Sequence, residues 1–494
     1  MIFNSIDFLI FFPIVTLIYG VIPKKIKYIW LLIASYYFYM CWNPKYAILI
    51  ALSTAVTYAA GLIIASSSKK PARLWTMIGG IAVNLGILFV FKYFDFTLHN
   101  LNRVLNIVHI NPINNPFDII LPVGISFYTF QALGYMIDVY KGECKAEKNF
   151  FKYALFVSFF PQLVAGPIER SKNLLSQIDE VGKKNLMSFD KVTSGFALMV
   201  WGMFMKMVIA DRVAIFVDCV FAYTYSIGTF EAIAGAVAFA LQIYCDFGGY
   251  SAIAIGAARV MGFEIMENFN APYMAMSISE FWRRWHISLS TWFRDYVYIP
   301  LGGNRCSKIK KYRNLMITFL VSGLWHGASW TYIAWGGIHG LYQIIEDLIK
   351  PLKTKAEKTL GLDTDTFGYK FGQMVYTFAL TTFAWIFFRA GSISEAFTYI
   401  TNMFTKWNPW VIFDGSMFNL GLDATEVTVL VASVILLTIM DILRVTKGKT
   451  FGEMMLEQNP PFRIIVVLLL IVLIIVFGEY GIMFDSKKFI YFDF

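Results

Sequence analysis

Charge is scarce in this chain. Only 15% of its 494 residues are Asp, Glu, Lys or Arg, against about 25% in soluble proteins. With 57% hydrophobic residues and a mean hydropathy of +0.59, too little polar surface remains for a soluble protein of this size. A polytopic membrane protein is expected, with one large membrane domain. Cysteine is scarce as well. Five residues, an odd number without metal or disulfide spacing, exclude a stapled scaffold. Cys41, Cys219 and Cys245 fall in or beside apolar segments and read as small apolar packers. There is no G-x-S-x-G elbow, no H-E-x-x-H and no C-x-x-C, which argues against a soluble-type serine hydrolase or a zinc peptidase. No internal repeat, low-complexity tract or heptad run is present.

What the chain has instead is apolar and aromatic. Its 47 Phe, 27 Tyr and 13 Trp fit a bundle with broad interfacial belts. Apolar segments fall at about 6–22, 28–42, 46–66, 74–93, 119–139, 150–166, 192–222, 230–257, 314–326, 329–349, 371–389, 424–443 and 462–484. Spanning a bilayer takes about 20 residues, or about 17 at the short end. Roughly 11 membrane segments are therefore expected, some of them re-entrant or broken. The net charge of +9 belongs to loops that set orientation. Nucleic-acid binding needs a basic soluble domain, and none is seen. Met1–Asp7 carries no basic residue and no small-residue cleavage site follows Phe8–Tyr19, so the first segment reads as a retained membrane helix.

Basic loops order the segments, because lysine and arginine collect on the cytoplasmic side. Lys24, Lys25 and Lys27 put the first loop inside and the N-terminus outside. Lys69, Lys70 and Arg73 agree, as do Lys141, Lys145, Lys148 and Lys152. Segment 150–166 has basic loops on both flanks and reads as a re-entrant hairpin, with Pro161 and Gly166-Pro167 as breakers. The 259–313 loop, with Arg283, Arg284, Arg294, Arg305, Lys308, Lys310, Lys311 and Arg313, is cytoplasmic. Segments 314–326 and 329–349 lie between basic flanks and form a second hairpin. A 13-residue run rises about 20 Å, short of the roughly 30 Å core. That puts His326 deep in the membrane near a hairpin tip. The C-terminus then falls outside.

His326 lies in Leu324-Trp325-His326-Gly327-Ala328-Ser329-Trp330. An ionisable group at membrane depth costs a few kcal/mol or more unless it is paired or lines a wet cavity. Histidine is also the side chain suited to proton transfer near neutral pH. Its depth, the flanking Trp325 and Trp330 and the break at Gly327 favour a functional reading over a satisfied core histidine. His339 reads as structural. Residues Ser279–Tyr296 read as one amphipathic helix, with Trp282, Trp285, Leu289, Trp292, Phe293 and Tyr296 at helical spacing. It suits the headgroup plane. Alternatively, Arg283, Arg284 and Arg294 bind a phosphate-bearing ligand there. His286 on this helix is either a structural hydrogen-bond partner or a second site histidine. Asp295 on the same helix and Asn304 in the Pro300–Arg305 turn are further donor-side candidates. Asp246, inside an apolar segment, needs a partner. Asp138 and the Asp211-Arg212 pair sit nearer segment ends, where ordinary interfacial pairing explains them.

These segments together resemble the membrane-bound O-acyltransferase (MBOAT) family, in its alginate O-acetyltransferase branch, over nearly the whole chain. The resemblance rests on Leu121–Gln131, Ala165–Arg170, the Asp246 segment and Asn268-Phe269-Asn270-Ala271-Pro272-Tyr273. The arginine-tryptophan stretch with His286, the Pro300–Arg305 turn, Trp325–Trp330 and the closing Phe489–Phe494 complete it. One departure is visible: Ala252 follows Gly249-Tyr250-Ser251, where an acidic residue is expected in many relatives.

The resemblance implies an all-α domain over 1–494, divided into N-terminal helices (1–118), a catalytic core (119–350) and C-terminal helices (351–494). It implies an acyl group passing from a cytoplasmic thioester, acetyl-CoA or another, through a membrane tunnel to an acceptor hydroxyl outside. No cofactor is bound. His326 matches the family's catalytic histidine and His286 a second, recurrent one. A neutral imidazole at position 326 takes the acceptor's proton as its oxygen attacks the thioester carbonyl, while Trp325 and Trp330 wall the tunnel. The setting implied is a bacterial cytoplasmic membrane with an extracytoplasmic SGNH-type partner. D-alanyl transfer to teichoic acid from an acyl carrier protein is the enzymatic alternative. A proton-coupled transporter relaying protons through Asp246 and His326 is the alternative of another class, disfavoured by the lack of paired inverted repeats.

Overall fold

The computed structural model describes residues 1–116, 121–164, 166–480 and 490. Ala165 and, apart from Ile490, the closing Phe489–Phe494 stretch of the resemblance lie outside them.

The helices are α1 Ile6–Val21, α2 Lys27–Met40, α3 Ala47–Ser66, α4 Lys70–Leu88, α5 Phe94–Ile107, α6 Ile125–Lys141, α7 Phe150–Ser158, α8 Phe160–Leu163, α9 Ser171–Val181, α10 Phe189–Phe204 and α11 Asp211–Ala222. They continue with α12 Thr229–Val260, α13 Ile278–Arg284, α14 Ile287–Phe293, α15 Lys308–His326, α16 Trp330–Thr359, α17 Phe367–Arg389, α18 Ile393–Thr405, α19 Ala424–Lys447, α20 Phe451–Leu456 and α21 Pro460–Phe477. Among the described residues there is no β-strand. Helix is the only open-ended element that satisfies its own backbone in lipid.

Each expected apolar segment is largely helical over its described residues. Seven helical stretches of the described residues are long and apolar enough to cross a membrane: 44–66, 70–107, 189–222, 229–260, 367–389, 424–447 and 460–477, with the shorter Ile6–Val21 beside them. The chain is a multi-pass membrane protein.

The chain divides into two compact units. Met1–Phe196 with Ala254–Met266 forms one. There the expected break in 150–166 is seen between α7 and α8, at Phe159 (φ −52°, ψ 111°). Pro161 follows two residues later, and the N–H of Phe160, freed by the break, donates to Ser35 Oγ at 3.1 Å. Phe160 then packs on Phe11 and Phe38, with ring centroids 5.4 and 5.6 Å away. Glu169 is buried and accepts from the backbone N–H groups of Met266 and Arg170 and from the Asn173 carboxamide.

Ala197–Ile253 with Glu267–Phe494 forms the other unit. It contains His286, His326 and the rest of the candidate site. Inside it, a π-helical turn at Met205–Ala210 joins α10 and α11 into one continuous helix. Lys206 on that turn bridges Asp211 at 2.7 Å and Asp246 at 2.8 Å. Asp246 also accepts the Ile490 N–H at 2.9 Å. This corrects the expectation for Asp211 and Arg212. They lie within a long helix, not near its end, and both are buried. They do not pair with each other: Asp211 takes Lys206, and Arg212 takes Glu479 at 2.8 Å and the Phe477 carbonyl. Buried charges need such partners, because removing one leaves an uncompensated ion in low dielectric.

Candidate functional site

The candidate site assembles at the tip of the α15–α16 hairpin. α15 is longer than its apolar run suggested. It holds 19 residues and takes in Lys308–Arg313, because lysine and arginine are good helix formers. It rises about 28 Å at 1.5 Å per residue, which corrects the expectation of a short helix. His326 is its last residue. The turn follows at Gly327, and Ser329 caps α16 by accepting the Thr331 N–H at 3.3 Å. The two helices touch along glycines. A Cβ on Gly323 would lie 2.3 Å from the Tyr332 carbonyl oxygen, and one on Gly336 2.3 Å from that of Phe319. At the tip, a Cβ on Gly327 would lie 2.2 Å from the Tyr332 ring.

His326 is 3% exposed. Its ring centroid lies 5.0 Å from Trp325, 5.0 Å from Trp335 and 5.5 Å from Phe388, all in edge-to-face contact. Trp330, expected to wall the site with Trp325, is 53% exposed; Trp335 is the second tryptophan beside the histidine. Trp335 and Phe388 carried no sequence signal apart from aromaticity.

His286 lies 6.2 Å from His326, ring centre to ring centre. It also contacts Trp325 at 6.1 Å and Phe247 at 4.7 Å. The single amphipathic helix expected over 279–296 is not formed. α13 ends at Arg284, α14 begins at Ile287, and His286 between them has left-handed backbone (φ 42°, ψ 54°). Such a conformation costs a non-glycine residue roughly 1–3 kcal/mol and persists only where surroundings impose it. Here the segment 268–270 takes the groups a continuous helix would use. The Ile287 N–H donates to the Asn268 carbonyl and the Asn270 N–H to the Arg284 carbonyl, both at 2.9 Å. The break turns a surface position into a buried one: His286 is fully buried. Burial pushes its imidazole pKa down to about 3, so the ring is neutral.

His339 is buried and accepts from Trp282 Nε1 at 3.3 Å through Nδ1. Its ring stacks on Phe281 at 6.1 Å and Phe319 at 6.4 Å, tying α13 to the hairpin.

The remaining candidates separate. Arg284 is held by Glu280 at 2.7 Å and donates to the Asn270 carbonyl at 3.2 Å. Arg294 pairs with Asp295 at 2.7 Å, and Arg283 donates to Ser279; both arginines are exposed. Asn304 accepts from the Tyr298 hydroxyl at 2.5 Å. Asp246 belongs to the Lys206 cluster. Lys206, a lysine inside an apolar segment, is the residue the sequence expectations missed, although an intramembrane charge is the signal that could have found it.

Buried histidines in a multi-pass helical bundle leave several chemistries open, and comparison with known proteins narrows the class to acyltransferases. The model of the membrane-bound O-acyltransferase family matches residues 146–388. The chain is 40% identical over 408 residues to a probable alginate O-acetylase of Pseudomonas putida, covering 82% of this chain and 80% of that protein. It is 36% identical over 400 residues to a peptidoglycan O-acetyltransferase of Helicobacter pylori, covering 76% and 73%. A teichoic acid D-alanyltransferase of Streptococcus thermophilus is 29% identical over 289 residues, covering 56% and 68%. The chain belongs to the membrane-bound O-acyltransferase family. It is an acyltransferase that aligns over most of its length with O-acetyltransferases.

Proposed function

We propose that this chain takes acetyl groups from a cytoplasmic thioester, acetyl-CoA, and passes them across a bacterial cytoplasmic membrane for O-acetylation of an extracytoplasmic polysaccharide. The observation that carries the site is the pair of buried imidazoles 6.2 Å apart, with His326 at the hairpin tip boxed by Trp325, Trp335 and Phe388. His326 is the general base. It takes the acceptor hydroxyl's proton as the oxygen bonds to the thioester carbonyl carbon. The carbon–sulfur bond then breaks, and the imidazolium returns the proton to the leaving thiolate, so ester and free thiol form and the histidine is neutral again. The aromatic walls keep water from competing as acceptor. His286 is the second site histidine. Exposed Arg283 and Arg294 offer guanidinium groups to the donor's phosphates. Asp246, engaged by Lys206, serves structure.

Basic 305–313 supports a cytoplasmic donor side, and the loop charges support both termini outside. The resemblance supports an extracytoplasmic SGNH-type acetyltransferase partner. Acetyl rather than D-alanyl transfer is favoured by the relatives: 40% identity over 82% of the chain against 29% over 56%.

Purified full-length protein is offered labelled acetyl-CoA or D-alanyl carrier protein, with alginate or peptidoglycan fragments as acceptor. Deacylation of acetyl-CoA alone is expected; turnover of the D-alanyl donor alone overturns the acetyl reading. His326→Ala is expected to lose about 10²–10⁴-fold in transfer while still eluting as folded protein. Wild-type transfer by that variant removes His326 from the chemistry.

A further inference from the structure

The segment Asn268-Phe269-Asn270-Ala271-Pro272-Tyr273, one of those that carry the family resemblance, lies against the break between α13 and α14. Its geometry centres on His286. The Asn268 backbone carbonyl accepts the N–H of Ile287, the residue after His286, at 2.9 Å. Its side-chain Oδ1 accepts the Ser288 hydroxyl at 2.6 Å, and its Nδ2 donates to Ser251 Oγ on α12 at 3.1 Å. Asn268, Ser288 and His286 are fully buried and Ser251 nearly so. Two residues on, Asn270 pairs by backbone with Arg284, the residue before Trp285. The segment is itself anchored. Arg444 on α19 bridges Glu267 at 2.7 Å, donates to Asn270 Oδ1 at 3.2 Å and to the Phe269 carbonyl at 2.5 Å. Ala271, like His286, has a positive φ, 45°. Asn268 thus fastens the two residues just after a strained histidine with its main-chain carbonyl and Oδ1, and ties them to α12 through Nδ2.

We propose that Asn268 is a positioning residue for His286: through Ile287, Ser288 and Ser251 it imposes the left-handed backbone that turns the imidazole toward His326. The proposal rests on the reading of His286 as the second site histidine. Asn268 touches no reacting atom; it acts by holding another side chain in register, where misplacement by about 1 Å costs on the order of 100-fold in rate.

The test is a double-mutant cycle on full-length protein, read as turnover and KM for acetyl-CoA. Asn268→Ala is expected to lower turnover by roughly 100-fold, with KM changed less than about twofold because binding shared by ground and transition states is untouched. In a His286→Gln background the same substitution is expected to lower turnover by less than about threefold, since coupled residues are not additive. Asn268→Asp keeps the acceptor for Ser288 and is expected to recover part of the loss. An equal factor in both backgrounds overturns the proposal, because a general packing role is additive. Unchanged turnover in Asn268→Ala also overturns it. Full activity of His286→Gln alone sinks the reading of His286 and this proposal with it, whereas additivity sinks only the proposal. Should Asn268→Ala not assemble, Ser288→Ala runs the same cycle with one hydrogen bond removed.

Discussion

His326 is surrounded by aromatic rings. Trp325, Trp335 and Phe388 meet it edge-on at 5.0–5.5 Å, which excludes water. A different buried group, Glu169 in the other unit, shows what burial does to a titrating residue here. Burial raises its pKa from 4.5 to about 7, against hydrogen bonds from Met266, Asn173 and Arg170 that favour the anion. A folded-state value above the unfolded one means the folded protein binds the proton more tightly. That stability is fully present below pH ~4.5 and is lost as pH rises through ~7, about 3 kcal/mol in all. The apparent melting temperature should therefore fall between pH 5 and 8, and Glu169→Gln should flatten that slope. An unaltered slope would remove Glu169 as its source. The presence of His286 was legible in the sequence, but its burial was not. A helical wheel over 279–296 places it on a continuous helix, and only pairing with Asn268 and Asn270 breaks that helix at this residue.

At the scale of elements, the α15–α16 hairpin is legible from basic flanks around two apolar runs and from Gly327. Its closeness is not legible. Gly323 and Gly336 matter because each faces the opposite helix's backbone, and only packing reveals which glycines do so. Gly336→Ala puts a methyl 2.3 Å from the Phe319 carbonyl oxygen, and backbone cannot swing aside as a side chain can. The hairpin should splay, at about 1–3 kcal/mol, and transfer should drop with the melting temperature; an alanine variant as stable and active as wild type would show that the helices tolerate separation. The long helix 189–222 makes the complementary point. Its apolar length is plain in the sequence, and Lys206 and Asp211 pair within it, yet the further partners of Lys206 and Arg212 come from positions 246 and 479, beyond the reach of any local pattern.

For the whole molecule, orientation is the property with most functional weight. The proposed function requires the basic 259–313 stretch to face the cytoplasmic donor, as the positive-inside rule expects. Inverted membrane vesicles should consume acetyl-CoA, and sealed right-side-out vesicles should do so only after permeabilisation. The opposite pattern would reverse the assigned topology. The sequence by itself determined the class, the helices and the suspicion around His326, because hydropathy, loop charge and a histidine inside an apolar segment are local quantities set by bilayer thickness and desolvation. Tertiary structure alone decided that His286 stands beside His326, that Trp335 rather than exposed Trp330 completes the box, and that Lys206 neutralises Asp246. Each of these depends on contacts between residues far apart in the chain, which periodicity and composition do not encode.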